Sequence, residues 1–324
     1  MSNKLQEILR KNTIMVIDGS MSTALERLGA DLNHSLWTCK VLAEQPDLIR
    51  QVHTEYFRAG ADCGITASYQ ATIPGLMENG YSESEAEEIL RRSVRLFCEA
   101  RQTWWDEEGK AAGRSWPLCL AAIGPYGAYL ADGSEYRGNY AISDEELREF
   151  HRRRMEILWE EEPDLLLIET IPSYREALIC ADLAESLGAD YWISFSCKDG
   201  THINDGTLIA DCAKAICANG SSHPHLRMLG VNCTDPRHIV SLIEELKAGT
   251  DLPVAVYPNS GDVYDPNTKA WTKVGGGMAF GAWASMYMKA GATAVGGCCT
   301  TVGEHIRQVA AAREAYLRKE QCSE

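Results

Sequence analysis

Three of the twelve cysteines in this 324-residue chain stand directly after predicted strands. Cys233 follows the apolar run that forms the sixth predicted strand, and Cys298 and Cys299 follow the eighth. The carboxyl ends of the strands of a parallel barrel meet at one mouth, where active sites lie, so we expect the three thiols to converge there. Three sulfur ligands with one open position are typical of a catalytic zinc site, and soft thiolates favour zinc over magnesium or calcium.

The sequence leaves two alternatives open for these cysteines. One is a vicinal disulfide between Cys298 and Cys299, and the other is a set of inert core thiols. Gly296 and Gly297 favour the metal site, because glycine lets the backbone bring two consecutive side chains to one ion. Most of the other cysteines lie in apolar stretches and are interpreted as core residues: Cys63, Cys98, Cys119, Cys180, Cys212 and Cys217. Three have more polar neighbours and receive no role: Cys39, Cys197 and Cys322.

Two acidic residues stand at predicted strand ends as well. Asp18 closes the first predicted strand and Glu169 closes the fourth, which places both carboxylates at the mouth of the same barrel. Without further information, the simpler interpretation is that they are solvated charges or partners of a nearby Lys or Arg.

The elements that would position these residues are short apolar runs rich in β-branched residues. Most runs are followed by Gly, Pro, Asn or Ser and then by a segment of helical periodicity. Such runs are typical of buried parallel strands. Eight of them cover residues 14–17, 63–67, 118–123, 165–169, 191–196, 228–232, 254–257 and 293–295.

Amphipathic segments between the runs predict helices, at residues 84–105, 144–161, 174–187, 236–247 and 303–318. This alternation favours an α/β fold that closes as a (β/α)8 TIM barrel, with an open doubly wound sheet as the alternative. No GxGxxG motif follows a strand, which weakens the dinucleotide-binding form of that alternative. No linker interrupts the pattern, so we expect a single domain over residues 1–324.

The segment GPYGAYLADGSEYRGNY, residues 124–140, predicts a long loop above the third strand, because it is rich in Gly and Tyr. Long loops in barrels are usually functional. Tyr126, Tyr129, Asp132 and Glu135 offer aromatic faces and carboxylates that attract a cation. The alternative is that the tyrosines only pack the loop.

The net charge of −15 argues against a nucleic-acid partner, because nucleic-acid binders carry clustered Lys and Arg. The N-terminal segment lacks the apolar core of a signal peptide, and no run of about 18 apolar residues predicts a membrane span. We therefore expect a cytoplasmic protein that acts on small molecules, with mostly reduced cysteines.

Seven segments in a fixed order carry a resemblance to a known family, at residues 18–26, 35–37, 65–72, 124–140, 232–233, 256–261 and 297–299. The chain resembles the homocysteine S-methyltransferase family over nearly its whole length, in particular the branch that uses S-methylmethionine or S-adenosylmethionine. The sequence departs from the family pattern after the cysteine pair, where Thr300 and Gly303 stand in place of a common Arg and Pro. This difference leaves the ligands unchanged and affects the start of the last helix.

The resemblance implies that Cys233, Cys298 and Cys299 bind zinc and that the homocysteine sulfur takes the open position. Zinc deprotonates a coordinating thiol, so homocysteine would attack the methyl group of a sulfonium as a thiolate. The resemblance also implies a set of residues that grip the amino-acid end of homocysteine. The main members are the carboxylates of Asp18 and Glu169, for the α-ammonium, and the free backbone N–H groups of Gly19 and Ser20, for the α-carboxylate. Gln70 and Asn232 are further candidates.

The methyl donor follows less directly from the sequence. A barrel that uses the whole chain leaves no room for a cobalamin or folate domain, so we expect a small donor. S-methylmethionine is the first choice, followed by S-adenosylmethionine. The alternatives are a betaine- or corrinoid-protein-dependent methyltransferase acting on homocysteine or selenocysteine, a lyase or aldolase on the same fold, and a zinc-stabilised structural protein.

Overall fold

The computed structural model describes residues 3–218, 223–265, 270–272 and 278–321 and confirms the predicted barrel. Eight parallel strands pair in the order β1-β10-β7-β6-β5-β4-β3-β2, and a parallel bridge between Ile17 and Cys63 connects β1 to β2. The barrel strands are β1 (Met15–Val16), β2 (Cys63–Ile65), β3 (Leu118–Ile123), β4 (Leu165–Ile171), β5 (Tyr191–Phe195), β6 (Leu226–Asn232), β7 (Val254–Tyr257) and β10 (Ala294–Val295). A separate antiparallel pair, β8 (Val263–Asp265) and β9 (Ala270–Thr272), lies between β7 and β10 in the chain.

Helices follow the strands around the barrel. The long ones are α4 (Pro46–Ala59), α6 (Glu83–Trp104), α8 (Asp144–Glu160), α9 (Tyr174–Ser186), α10 (Ile209–Ala218), α11 (Ile239–Gly249), α12 (Phe280–Ala290) and α13 (Gly303–Gln321). The others are α1 (Asn3–Asn12), α2 (Met21–Arg27), α3 (Thr38–Glu44), α5 (Ile73–Glu78) and α7 (Tyr126–Leu130). None of the helices in the described ranges is long and apolar enough to cross a membrane.

The five predicted helices are confirmed, with one change in type. Residues Pro236–His238 form a 3-10 turn before α11, where the carboxylate of Asp235 accepts from the backbone N–H of Arg237. The start of α8 shows how the sequence sets a boundary. Ser143 accepts from the backbone N–H of Glu146, and the Glu146 carboxylate accepts from that of Ser143, which forms a capping box.

The prediction that residues 124–140 form a loop without helix was wrong in part. Tyr126–Leu130 forms α7, and Ser134–Tyr136 forms a 3-10 turn. Gly127 lies within α7. Glycine is needed there because the helix packs closely on the following turn, so that a β-carbon would lie 2.5 Å from the backbone nitrogen of Glu135. We call residues 124–140 the mouth segment.

Two apolar layers hold the barrel together. Side chains from the strands fill its interior, and Leu5 and Ile8 of α1 pack against them. A larger layer lies between the outer faces of the strands and the helices. The core interpretation of six cysteines agrees with their burial for Cys63, Cys119, Cys180 and Cys212, whereas Cys98 and Cys217 are half-buried. Two of the unassigned cysteines, Cys39 and Cys197, are also buried, and Cys322 lies outside the described residues.

Candidate metal and substrate site

The three predicted cysteines come together at the carboxyl ends of β6 and β10. The Sγ atom of Cys233 lies 2.8 Å from that of Cys298 and 3.5 Å from that of Cys299, and the last two lie 4.0 Å apart. Two thiolates held tetrahedrally at about 2.3 Å from one ion would be about 3.8 Å apart, so this cluster has the size of a metal site. All three cysteines are free and half-buried, which disagrees with both a vicinal disulfide and a set of inert core thiols.

Backbone hydrogen bonds with the residues that follow β7 fix the two consecutive cysteines. The N–H of Cys298 donates to the carbonyl of Pro258 at 2.7 Å, and the carbonyl of Cys299 accepts from Ser260 at 3.1 Å. Gly296 allows this approach, because a β-carbon there would lie 2.6 Å from that of Ile17. The expected need for glycine before the pair therefore has a steric cause.

Burial and mutual hydrogen bonding favour the neutral form of these thiols when no cation is near. The bond to Cys298, together with burial, raises the pKa of Cys233 well above its usual range, and the bond to Cys233, together with burial, does the same for Cys299. The bond to Cys233 lowers the pKa of Cys298, but the bond to Cys299, burial and the negative charge of Glu169 together outweigh it and raise that pKa. A cation would reverse this effect by stabilising the thiolates.

Asp18 and Glu169 are buried at the barrel mouth, 2% and 5% exposed, so the interpretation as solvated charges was wrong. Burial raises the pKa of Asp18 well above its usual range and that of Glu169 to about 8. The Oδ2 atom of Asp18 accepts from the backbone N–H of Ile65 at 2.9 Å, whereas Oδ1 has no hydrogen-bond partner among the described residues. The pair therefore offers buried acceptor capacity beside the sulfurs.

The backbone after Asp18 is less open than the sequence predicts. Gly19 leads into Ser20, whose hydroxyl accepts from the N–H of Thr23 and caps α2. The expectation of a free N–H at Ser20 was wrong, because this group donates to the backbone and side-chain oxygens of Thr301, both at 3.3 Å. These bonds are long, so a stronger acceptor would compete with them.

The two amide candidates already have protein partners. The Asn232 amide accepts from the backbone N–H of Thr170 at 2.9 Å and donates to the Thr170 hydroxyl at 2.7 Å. The Gln70 amide donates to the carbonyl of Ala128 at 3.0 Å. Each amide keeps one further N–H for a ligand, and the oxygen keeps one lone pair in Asn232 and two in Gln70.

The structure divides the four candidates of the mouth segment. The rings of Tyr126 and Tyr129 pack against Phe150 of α8, with centroids 4.9 and 5.4 Å away. The Tyr129 hydroxyl donates to Glu78, and the exposed Asp132 pairs with Arg137 at 3.3 Å. Their contacts explain these three residues as packing and surface groups, so the expectation that they form a cation site is not supported.

Glu135 is the candidate that faces inward. Its Oε2 is buried and has no hydrogen-bond partner among the described residues, and burial raises its pKa. The negative groups of Cys233 and Glu135 add to burial in raising the pKa of Tyr69. Burial and the negative groups of Cys233 and Cys299 likewise raise the pKa of Tyr136, although this residue remains 36% exposed. Neither tyrosine was predicted from the sequence.

A second group that the sequence analysis missed lies deeper, beside Glu169. Tyr257 ends β7, and burial together with the charge of Glu169 raises the pKa of its hydroxyl. The Tyr257 hydroxyl interacts with the side chains of Glu169 and Ser194. The indole nitrogen of Trp192 is buried without a hydrogen-bond partner in the described part of the chain. The sequence signal for Tyr257 was its position in the segment at residues 256–261. These groups add polar capacity to the mouth.

Fold and site together define a (β/α)8-barrel protein with three convergent thiols that can hold a metal ion. Residues 15–313 match the family model described as homocysteine S-methyltransferase. The chain is 51% identical to homocysteine S-methyltransferase YbgG of Bacillus subtilis, over 95% of this chain and 97% of that protein. It is 44% identical to homocysteine S-methyltransferase 4 of Zea mays, over 93% of this chain and 90% of that protein.

A solved structure gives the same result. The metallated form of the homocysteine methyltransferase MmuM from Escherichia coli superposes with a TM-score of 0.85 at 39% identity, covering 95% of this chain and 99% of that chain. The chain therefore belongs to the homocysteine S-methyltransferase family. It is an enzyme of the methyltransferase class, which excludes the structural-protein, lyase and aldolase alternatives.

Proposed function

We propose that this enzyme transfers a methyl group from a sulfonium donor to the sulfur of homocysteine, which gives methionine. S-methylmethionine is the preferred donor, and S-adenosylmethionine is the second. The homocysteine thiolate forms a bond to the methyl carbon while the bond from that carbon to the sulfonium breaks, and the former donor leaves as a neutral thioether. The convergence of three thiols with two buried carboxylates at one mouth is the observation that carries this proposal.

The metal in the proposal is zinc, held by Cys233, Cys298 and Cys299. The donor set fits, because three soft sulfurs within 4.8 Å of one another suit zinc and leave one position for a ligand. When bound, zinc supplies the positive charge that keeps both the protein thiols and the substrate thiol deprotonated near neutral pH.

The amino-acid end of homocysteine is the natural partner of the two carboxylates. An α-ammonium between Asp18 and Glu169 would use the unpaired Oδ1 of Asp18 and restore the charged forms that burial disfavours. The α-carboxylate would lie toward the backbone of Gly19 and Ser20, with Gln70 and Asn232 as further donors.

The donor approaches from the side of the mouth segment. A sulfonium is a cation, and the tyrosine rings of Tyr69 and Tyr136 attract cations through their faces. The buried Glu135 carboxylate adds a negative charge without a hydrogen-bond partner for Oε2 among the described residues. This placement replaces the earlier choice of Tyr126, Tyr129 and Asp132.

Purified enzyme tests the proposal directly. It is incubated with homocysteine and, in separate reactions, with S-methylmethionine, S-adenosylmethionine or betaine, and methionine is measured. We expect kcat/KM to be highest for S-methylmethionine and bound zinc to approach one per chain. A higher kcat/KM for betaine, or activity only with a corrinoid protein, would reject the sulfonium donor, and a parallel reaction with selenocysteine tests the other acceptor.

A further inference from the structure

A buried cluster of three polar side chains lies between α8 and α9, outside the barrel and apart from the proposed chemistry. It consists of Arg154 and His151 on α8 and Glu176 on α9, which are 2%, 0% and 0% exposed. We call these three residues the anchor cluster. Burying charges is costly unless they make good hydrogen bonds, so the partners of this cluster show what it holds.

The hydrogen bonds of the cluster fix its protonation pattern. The Arg154 guanidinium only donates, so its 2.7 Å contact with His151 makes Nδ1 the acceptor. The His151 proton therefore lies on Nε2 and is donated to Glu176 at 2.9 Å. Burial and the charge of Arg154 lower the pKa of His151 to about 4, so the ring is neutral.

The cluster forms its other hydrogen bonds with the backbone of the mouth segment. Arg154 donates to the carbonyl of Gly124, and Glu176 accepts from the N–H of Tyr126 at 2.6 Å. Both groups belong to the residues that lead from β3 into α7. Arg154 also lies over the ring of Phe150, 4.9 Å from its centroid, and the ring of Tyr126 packs against that of Phe150.

Packing within the mouth segment connects these hydrogen bonds to Glu135 and Tyr136. Gly127 of α7 lies against the backbone of Ser134 and Glu135, and only a residue without a side chain fits. The backbone carbonyl of Glu135 also accepts from the hydroxyl of Ser196 at 3.4 Å. The next residue is Tyr136. A shift of the Gly124 end would therefore move Glu135 and Tyr136.

An apolar cluster would hold two helices together at least as well as these charges do. The nitrogens Nε and Nη1 of Arg154 have no hydrogen-bond partner among the described residues, which makes the cluster costly as a helix contact. Its two backbone bonds to the mouth segment give it a purpose that apolar side chains cannot replace.

We propose that Arg154, His151 and Glu176 are positioning residues for the methyl donor, acting by fixing the mouth segment that carries Glu135 and Tyr136. This inference rests on the proposed function of that segment in donor binding. None of the three touches the reacting atoms.

Removing the Glu176 acceptor should raise the donor KM. In Glu176→Ala we expect an increase of about tenfold, the scale of one charge-assisted hydrogen bond, while the homocysteine KM and the metal content stay within twofold. Glu176→Gln should restore most of the donor KM, because its amide oxygen still accepts from Tyr126 and His151. Arg154→Met, which keeps the length and removes the bond to Gly124, tests the cluster independently if Glu176→Ala does not fold.

Leu158→Ala is the matched control, because Leu158 is buried on the same helix and a cavity there lowers stability without touching the segment. Hydrogen exchange of the amides in residues 124–140 is the second readout, and it should accelerate in Glu176→Ala and Arg154→Met but not in Leu158→Ala. Equal changes in the control, unchanged exchange, or an equal rise in both KM values would overturn the inference. The exchange measurement needs no donor, so it separates failure of the anchor from failure of the proposed donor chemistry.

Discussion

The side-chain amide of Asn232 is bonded at both ends to Thr170, although β5 separates the two strands that carry them. Cys233 follows Asn232, and Glu169 precedes Thr170, so this pair links a cysteine of the three-sulfur cluster to a buried carboxylate at the barrel mouth. Thr170 and Cys233 both have left-handed backbone angles, with φ of 58° and 48°, which residues with side chains adopt only under constraint. The two hydrogen bonds of the Asn232 side-chain amide supply that constraint.

We expect Asn232→Ala to lower both metal occupancy and homocysteine affinity. The change removes two buried hydrogen bonds and leaves the Thr170 N–H unpaired, which costs about 1–3 kcal/mol in unfolding free energy. Metal analysis, calorimetric titration with homocysteine and urea unfolding check the three effects. Thr170→Ser keeps the hydroxyl and should change none of them by much; a variant that loses stability but keeps both affinities would contradict the link.

Alanine at Cys233, Cys298 or Cys299 should reduce bound zinc and abolish activity while leaving a folded barrel. The reason is that a site with two thiolates and two open positions binds zinc more weakly, whereas the barrel core does not depend on the metal. Cys197→Ala is the control, because this thiol is buried outside the cluster. Full zinc occupancy in all three variants would show that the thiols are not the ligands.

Asp18→Ala and Glu169→Ala should each weaken homocysteine binding by about 1.5–3 kcal/mol, which is the scale of a charge-assisted bond. Zinc content should not change, since neither carboxylate is a proposed ligand. Titration of each metal-loaded variant with homocysteine measures the effect, and Asp132→Asn, an exposed carboxylate paired with Arg137, serves as the control. Unchanged affinity in both alanine variants would remove the carboxylates from the substrate site.

Most of the barrel was predictable because buried parallel strands leave a strong signal. The runs at residues 118–123 and 254–257 match β3 and β7 residue for residue, since each strand is apolar on both faces. The cysteine cluster was predictable for the same reason: strand ends in a closed barrel share one mouth. The part of the mouth that we propose for the donor was not predictable, because it depends on which way residues of the mouth segment turn.

The sequence favours Tyr126 and Tyr129 over Tyr136 as donor-site residues, and the structure shows why their spacing is misleading. Residues 126 and 129 lie one turn apart on α7 and share the side that packs on Phe150, whereas Tyr136 ends the following 3-10 turn. Without the short helix, nothing in the sequence separates the three tyrosines. The burial of Asp18 was equally hidden, because a strand-end carboxylate is usually solvated.

Donor affinity should depend on Glu135 and Tyr136. Glu135→Gln and Tyr136→Leu remove a buried charge and an aromatic face, so we expect each to raise the KM of the sulfonium donor several-fold and leave the homocysteine KM nearly constant. Tyr129→Phe removes only a hydroxyl bonded to Glu78 and should have little effect. A larger effect of Tyr129→Phe than of Glu135→Gln or Tyr136→Leu would instead support a donor site that includes Tyr129, as the sequence predicts.

His53 should make the protein sensitive to acid. It lies fully buried on α4 with its ring against Phe97, 4.9 Å between centroids, and neither ring nitrogen has a partner among the described residues. Burial lowers its pKa to about 3. The unfolded chain, with a histidine pKa near 6.5, therefore takes up a proton that the folded chain excludes. Above pH 6.5 the titration of His53 does not change the unfolding free energy. As the pH falls from 6.5 toward 3, the unfolding free energy decreases by about 1.4 kcal/mol per pH unit.

His53→Leu should remove this dependence, because an apolar side chain of similar size has no proton to gain and leaves no unpaired nitrogen. Urea unfolding of both proteins between pH 4.5 and 7.5, at one fixed zinc concentration, measures the difference. We compare the unfolding free energy of the variant minus that of the wild type at the two pH values. This difference should be about 2 kcal/mol larger at pH 5 than at pH 7.5. His151, whose pKa is also lowered, remains in both proteins, so its contribution cancels in the comparison. Parallel stability curves across this range would mean that His53 is as easily protonated in the folded chain as in the unfolded one.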